Sequence, residues 1–163
     1  MKAMLADANK PLYAIVFSVD GDRYAIPVAD LSEVLPLMAL RLAPQTPEWV
    51  AGWMNYRGNP VLVVDVTALL TGRPSRAMVS TRILLAPVPR QGGGEKTVGL
   101  MVEGVAGMVK ILPEALRVSE IWNSSAPYLG LLAMHEGDIL QIIHADKVLT
   151  GESRSLLELE GGE

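Results

Sequence analysis

The apolar residues of this chain fall into short runs rather than along helical stripes. Residues 13–19 (YAIVFSV) and 23–28 (RYAIPV) are rich in β-branched and aromatic side chains, and the Asp20-Gly21-Asp22 signal between them predicts a β-hairpin. Asp30 is placed to cap one helical turn over 31–33. Residues 34–42 alternate loosely, with Pro36 marking an edge or a bend. Pro44 and Pro47 bracket a loop, and 48–51 is expected to form a single helical turn. A second hairpin is expected from strands 52–56 and 61–66, turning at Arg57-Gly58-Asn59-Pro60. A short helix over 67–70 then stops at Gly72.

Residues 71–80 (TGRPSRAMVS) are small, polar and proline-containing, and read as a linker. Strands are expected again over 81–88, 97–103 and 105–112, with a flexible glycine-rich hairpin loop at 90–96 and a bulge at Gly104. Residues 113–127 look irregular. A last hairpin is expected from strands 129–134 and 139–144, and a helix over 145–149 ends at Gly151. The segment 58–70 (GNPVLVVDVTALL) and the segment 137–149 (GDILQIIHADKVL) follow one pattern, in which a glycine turn and a strand lead into a four-residue helix. Val63 and Val64 match Ile142 and Ile143; Leu69 and Leu70 match Val148 and Leu149. A repeat of this size made of short strands predicts an all-β fold of two small barrels side by side, with short helices. The expected organisation is a flexible leader over 1–12, a domain over 13–150 and an acidic tail over 151–163. Within the domain the sub-barrels are expected at about 13–72 and 81–150, with strands free to cross between them.

Composition sharpens this picture. Half of the 163 residues are apolar and 20% are charged, which excludes intrinsic disorder. A small domain with that apolar content either fills two tight cores or leaves apolar groups outside, where contiguous patches mark interaction sites. The net charge of −4 and the lack of a basic cluster argue against nucleic acid. No cysteine is present, so disulfides, thiolate zinc sites and cysteine nucleophiles are excluded. No run approaches the length of a membrane span, and residues 1–12 lack the pattern of an export signal. A soluble cytoplasmic protein without direct membrane insertion is expected.

Catalytic patterns are absent from the sequence. His135 and His144 have no local partner pattern, there is no G-x-S-x-G elbow, and the acidic residues are scattered singly. The stretch 92–97 (GGGEKT) is superficially similar to a phosphate loop. Glu95 stands where that loop needs glycine, and a strand follows where a helix is required. Neither a cofactor nor a metal is expected. Trp49, Trp53 and Tyr56 lie close in sequence and suit either a core or a binding platform. Arg57, in the adjoining turn, suits either a solvated charge or an interface anchor.

These residues also carry a resemblance. Ala25-Ile26-Pro27-Val28 with Leu31-Ser32-Glu33-Val34 is followed by the series Pro47, Gly52, Asn55, Tyr56, Arg57 and Gly58. Val63-Val64-Asp65-Val66, the segment 98–105, and Tyr128, Leu129, Val148 and Leu149 come next. In order and spacing this series resembles the CheW-like family of bacterial chemosensory adaptors, from about Tyr13 to Leu149. It departs from the family pattern at Leu62, where proline is usual, and at Leu131, where the glycine is shifted to Gly130. The resemblance implies two five-stranded SH3-like barrels and a non-enzymatic adaptor. Its partners would be the cytoplasmic tip of a chemoreceptor and a CheA-type histidine kinase, with room for self-association in arrays. It implies receptor contacts at Leu31, Glu33, Gly52, Asn55, Arg57 and Gly58, where Glu33 and Arg57, close together in the first barrel, would pair and orient the arginine at a receptor groove between the barrels. It implies kinase contacts at Val98, Gly99, Val102 and Val105. The GRPSR segment and the glycine-rich loop hint at a specialised surface-sensing or motility pathway. The alternative is a stand-alone SH3-like peptide-recognition module that uses the Trp49, Trp53 and Tyr56 surface.

Overall fold

The computed structural model describes residues 9–90, 92–118 and 131–149. Strand β1 (Leu12–Val19) turns at Asp20-Gly21 into β2 (Asp22–Pro27). A single 3-10 turn, Val28–Asp30, leads to β3 (Glu33–Pro36). The hairpin of β4 (Val50–Tyr56) and β5 (Asn59–Asp65) runs into helix α1 (Val66–Thr71). The second half follows the same plan: β6 (Arg82–Pro89), β7 (Glu95–Val102), β8 (Gly107–Ile111), β9 (Leu116–Val118), β10 (Leu131–His135), β11 (Asp138–Ile142) and α2 (Ala145–Val148). Three hairpins turn on two residues with positive φ, at Asp20-Gly21, Arg57-Gly58 and Glu136-Gly137. That geometry matches the right-handed twist of the flanking strands.

Two curled sheets result, ordered β8-β1-β2-β11-β10-β9 and β3-β6-β7-β5-β4. One long bent segment closes each of them. Residues 107–118 pair with β1 through β8 and with β10 through β9. Residues 33–41 pair with β6 through β3 and then with β4 through Arg41, whose N–H and C=O bond Trp53 at 2.8 and 2.7 Å. Counting each closing segment once, both barrels have five strands. The repeat is present in three dimensions: β5 and β11 each join their sheet in parallel, against β7 and β2, and each feeds a helix. Asp65 and His144 stand at the equivalent N-cap positions.

The barrels do not divide at the 71–80 segment. The β1–β2 hairpin sits in the sheet completed by β8–β11, and β3–β5 sit with β6 and β7. A lone hairpin cannot bury its apolar face. Each half therefore places its first hairpin in one barrel and its remaining strands in the other, so neither half builds a barrel alone. Other local expectations also change. The 31–33 helical turn is instead the 3-10 turn at Val28–Asp30, because the Asp30 carboxylate is drawn to α2, accepting the Ala145 N–H at 3.2 Å. Residues 48–51 form a turn entering β4, and β9 lies inside the stretch read as irregular. The expected strand start at Leu129 and the residues Tyr128 and Gly130 lie outside the described residues.

Three apolar clusters hold the fold. Two are barrel interiors: Val16, Ile111, Leu140 and Ile142 in one, and Met54, Val63, Ile83 and Leu85 in the other. The third and largest lies between the barrels, where Phe17, Val19 and Ile26 meet Leu62, Leu84, Val98, Leu100 and Val102, together with Ile143 and Val148. This shared core explains why β5, β6 and β7 are nearly continuous apolar runs. Both of their faces are covered, one inside the barrel and one against its neighbour.

The 71–80 segment is a pinned strap, not a flexible linker. The buried Asp65 carboxylate caps α1 at Ala68 N–H (3.1 Å) and also accepts from Ser75 N–H (2.8 Å) and Ser75 Oγ–H (2.6 Å). Buried Glu103 accepts from Arg76 N–H at 2.8 Å and from the Arg73 guanidinium, which also reaches Asp20 at 2.7 Å. Burial alone would push the Glu103 carboxyl up, but the bonds from Arg73 and Arg76 outweigh it and hold it below the usual carboxylate range. The Arg73 hydrogen bond likewise lowers Asp20.

Two outcomes follow from this architecture. Phe17→Ala, which empties the shared core beside the stacked Tyr24 ring at 5.5 Å, is expected to cost about 3–5 kcal/mol. Urea unfolding should keep a single transition because both barrels lose that core together. The second outcome concerns pH. Glu103 has a lower pKa folded than unfolded, so its contribution is present at neutral pH and lost as pH falls below its unfolded value near 4.5. Glu103→Gln should be less stable than the wild type at pH 7, by about 1.5–3 kcal/mol for the weakened charged hydrogen bonds. That gap should narrow progressively as pH falls below about 4.5.

Candidate functional site

The β4–β5 turn and the β3 edge come together on one side of the second barrel. Alternation along β4 turns Met54 and Tyr56 towards the barrel interior and leaves Asn55 exposed. The Tyr56 hydroxyl donates to Glu33 Oε2 on β3. Glu33 Oε1 lies 3.9 Å from Arg57 Nη2, and the Arg57 guanidinium sits 4.9 Å from the centroid of the Tyr56 ring. The hydrogen bond to Glu33 raises the Tyr56 pKa, so the phenol stays protonated and keeps donating. Asn55 Oδ1 accepts the Gly58 N–H at 2.9 Å, which holds the turn in shape. Arg57 is thus oriented by a carboxylate and a ring while its side chain stays 75% exposed. Such an arrangement suits recognition of a partner's carboxylate or carbonyl oxygens. Apolar Val34, Met38 and Leu42 are exposed along the same closing segment.

Four of the six expected receptor contacts, Glu33, Asn55, Arg57 and Gly58, form this one cluster. The other two have structural jobs. Gly52 sits at a bulge with φ of 141°, where a Cβ would fall 2.4 Å from the Arg41 carbonyl oxygen, so only glycine lets Arg41 close the barrel. Leu31 is half-buried against the shared core between the barrels.

The kinase-contact expectation needs correction. Val98 and Val102 are fully buried in the shared core, and Gly99 is packed so closely that an added Cβ would meet Ile83 and Val63 at 3.0 and 3.1 Å. Their side chains are not available to a partner. Val105 is half-buried against the same core. The space between the barrels is likewise filled by the chain's own Phe17, Ile26, Leu84 and Leu100. The three-aromatic platform does not form either. Trp49 and Trp53 pack towards the shared core, while Tyr56 lies on the opposite face of β4.

Both histidines find partners that sequence proximity could not reveal. His144 Nδ1 lies 3.0 Å from Asp30 Oδ2, and Arg23 donates to the His135 carbonyl and contacts its ring, each at 3.3 Å. Asp30, His144 and Asp146 bring their ligand atoms within 4.8 Å of one another, the one such group of metal-ligating type among the described residues. Asp30 is already committed there, holding His144 and the first turn of α2.

The comparisons agree with this architecture. A CheW-like domain model matches residues 14–153. The chain is 22% identical over 147 residues to the chemotaxis protein CheW of Klebsiella aerogenes, covering 88% of this chain and 85% of that one. It is 25% identical over 145 residues to the chemotaxis protein CheW of Rhizobium meliloti, covering 86% and 88%. The crystal structure of the scaffolding protein TtCheW from Thermoanaerobacter tengcongensis superposes with a TM-score of 0.71 at 22% identity, over 88% of this chain and 95% of that one. No helix among the described residues is long and apolar enough to cross a membrane. With the family model spanning nearly all of its length and two five-stranded barrels beneath it, this chain belongs to the CheW-like family.

Proposed function

We propose that this chain is a non-enzymatic adaptor in a bacterial chemosensory pathway, acting in the cytoplasm to couple chemoreceptor tips to a CheA-type histidine kinase. The observation that carries the proposal is the Glu33–Tyr56–Arg57 arrangement. It holds an exposed cation in a set direction beside the exposed Val34, Met38 and Leu42. An oriented guanidinium next to apolar surface is a common anchor of transient interfaces. Glu33, Asn55, Arg57 and Gly58 are assigned to the receptor contact, with Leu31 and Gly52 supporting it from within the fold. Kinase binding is kept as a property of the chain without assigning it to Val98, Gly99 or Val102. Contacts of this size are individually weak, and function in an array follows from many of them acting together. The GRPSR segment no longer argues for a specialised pathway, because Arg73, Ser75 and Arg76 are explained by the strap they pin.

The test is co-purification and calorimetry with a receptor cytoplasmic fragment and a kinase regulatory domain from the same genome. Both should bind the wild-type chain. Arg57→Ala should weaken receptor binding about 5- to 30-fold, as loss of an interface anchor does. Its stability should change by less than about 1 kcal/mol, because the ion pair with Glu33 is exposed. Unchanged receptor affinity in this variant would overturn the assignment.

A further inference from the structure

Asp30, His144 and Asp146 meet where both halves of the chain leave the first barrel. Asp30 ends the 3-10 turn that follows β2, His144 stands at the N-cap of α2 after β11, and Asp146 lies in the first turn of α2. All three residues are half-buried, and each brings one ligand atom within 4.8 Å of the other two. Asp30 is 114 residues from His144 in the chain, so the fold alone assembles the group.

Helix capping does not account for the imidazole. At the equivalent position of the other half, the Asp65 carboxylate caps α1. His144 makes no side-chain cap bond, and the Ala145 N–H is bonded by Asp30 Oδ2 instead, at 3.2 Å. The His144 ring is turned to the carboxylate, with Nδ1 3.0 Å from the same Oδ2. Both bonds of Asp30 therefore fall on one oxygen. A carboxylate has room for about four acceptor contacts over its two oxygens, so Asp30 can hold the helix and still serve as a ligand.

We propose that Asp30, His144 and Asp146 form a binding site for a divalent transition cation of the zinc type. One imidazole and two carboxylates make a nitrogen and oxygen donor set with two negative charges, which such an ion neutralises. Mg²⁺ and Ca²⁺ take oxygen ligands and fit this set less well. Ligand atoms bound to one tetrahedral Zn²⁺ at about 2.0–2.2 Å lie roughly 3.4 Å apart. The Asp30–His144 spacing of 3.0 Å is within a few tenths of an ångström of that, and rotation of the Asp146 side chain closes the remainder. Three protein ligands leave the fourth position to water. On binding, Asp30 and His144 exchange their mutual hydrogen bond for bonds to the metal. The ion would join the turn that carries the chain from β2 to β3 to the start of α2, whose Ala145 and Val148 pack in the shared core. It would thus staple the two crossings between the barrels. The site is separate from Glu33, Tyr56 and Arg57, and binding of the ion is independent of any receptor or kinase.

Zn²⁺ added to the chelator-treated full-length chain tests this. The sequence holds only two histidines, so the ring proton signals of each can be followed by NMR. Zn²⁺ should shift the His144 signals saturably at one ion per chain, leave His135 unmoved, and do so in the presence of excess Mg²⁺. It should also raise the midpoint of thermal unfolding, since an ion that binds only the folded chain stabilises it. His144→Gln and Asp146→Asn should each weaken binding at least about 10-fold, the loss that removal of even an outer-sphere partner brings. Asp30→Asn should do the same while keeping an acceptor for the Ala145 N–H. Asp146→Asn removes no bond from the Asp30–His144 pair, so it reads the site even where the other variants unfold. His135→Gln should bind Zn²⁺ as the wild type does. Absence of binding, binding that shifts His135 instead, or equal affinity in Asp146→Asn and the wild type would each overturn the proposal.

Discussion

Everything in this molecule depends on the apolar layer between its two barrels. Phe17, Val19 and Ile26 on one side, and Leu84, Val98, Leu100 and Val102 on the other, are buried by each other rather than by the interior of either barrel. A five-stranded barrel of this length has too little interior to remove half of its residues from water. Packing outer face against outer face gives the central strands a second buried side, and the pair becomes one cooperative body. The exchange of strands between the repeats reinforces this, since each barrel is completed by strands from the other half of the chain.

Polar side chains settle how the crossings between barrels are held. Glu103 closes on Arg73 and Arg76, Asp65 on Ser75, and Asp30 on His144 and the start of α2. Each carboxylate sits where a strand ends and the chain must turn, and each is met by donors far away in sequence or across a loop. Buried or half-buried carboxylates are tolerable only with such donors. These contacts fix the ends of the strands and so the edge on which Glu33, Tyr56 and Arg57 assemble. The exposed guanidinium owes its direction to β3 and β4 being brought side by side by residues 37–41.

That shared layer also marks where reading from the residues stopped short. Val98, Gly99 and Val102 were expected as kinase contacts from the family resemblance, which says nothing of what covers them in this chain. Their true partner is the other barrel. The groove expected between the barrels came from the same resemblance, and in this chain Phe17, Ile26, Leu84 and Leu100 fill that space. In the opposite direction, His144 showed no local partner pattern because its partner Asp30 is more than a hundred residues away in sequence.

From residue order alone came most of the strands, though not β9, the three glycine-bearing hairpin turns, and the repeat with its two short helices. These depend on side-chain period and turn stereochemistry, which act over a few residues. Only the folded chain decided which hairpin joined which barrel, that residues 71–80 are clamped rather than loose, and which apolar residues face a neighbour instead of solvent. Those outcomes depend on burial and on charged partners separated by tens of residues or more, and no local pattern of amino acids encodes which distant surface will arrive to cover them.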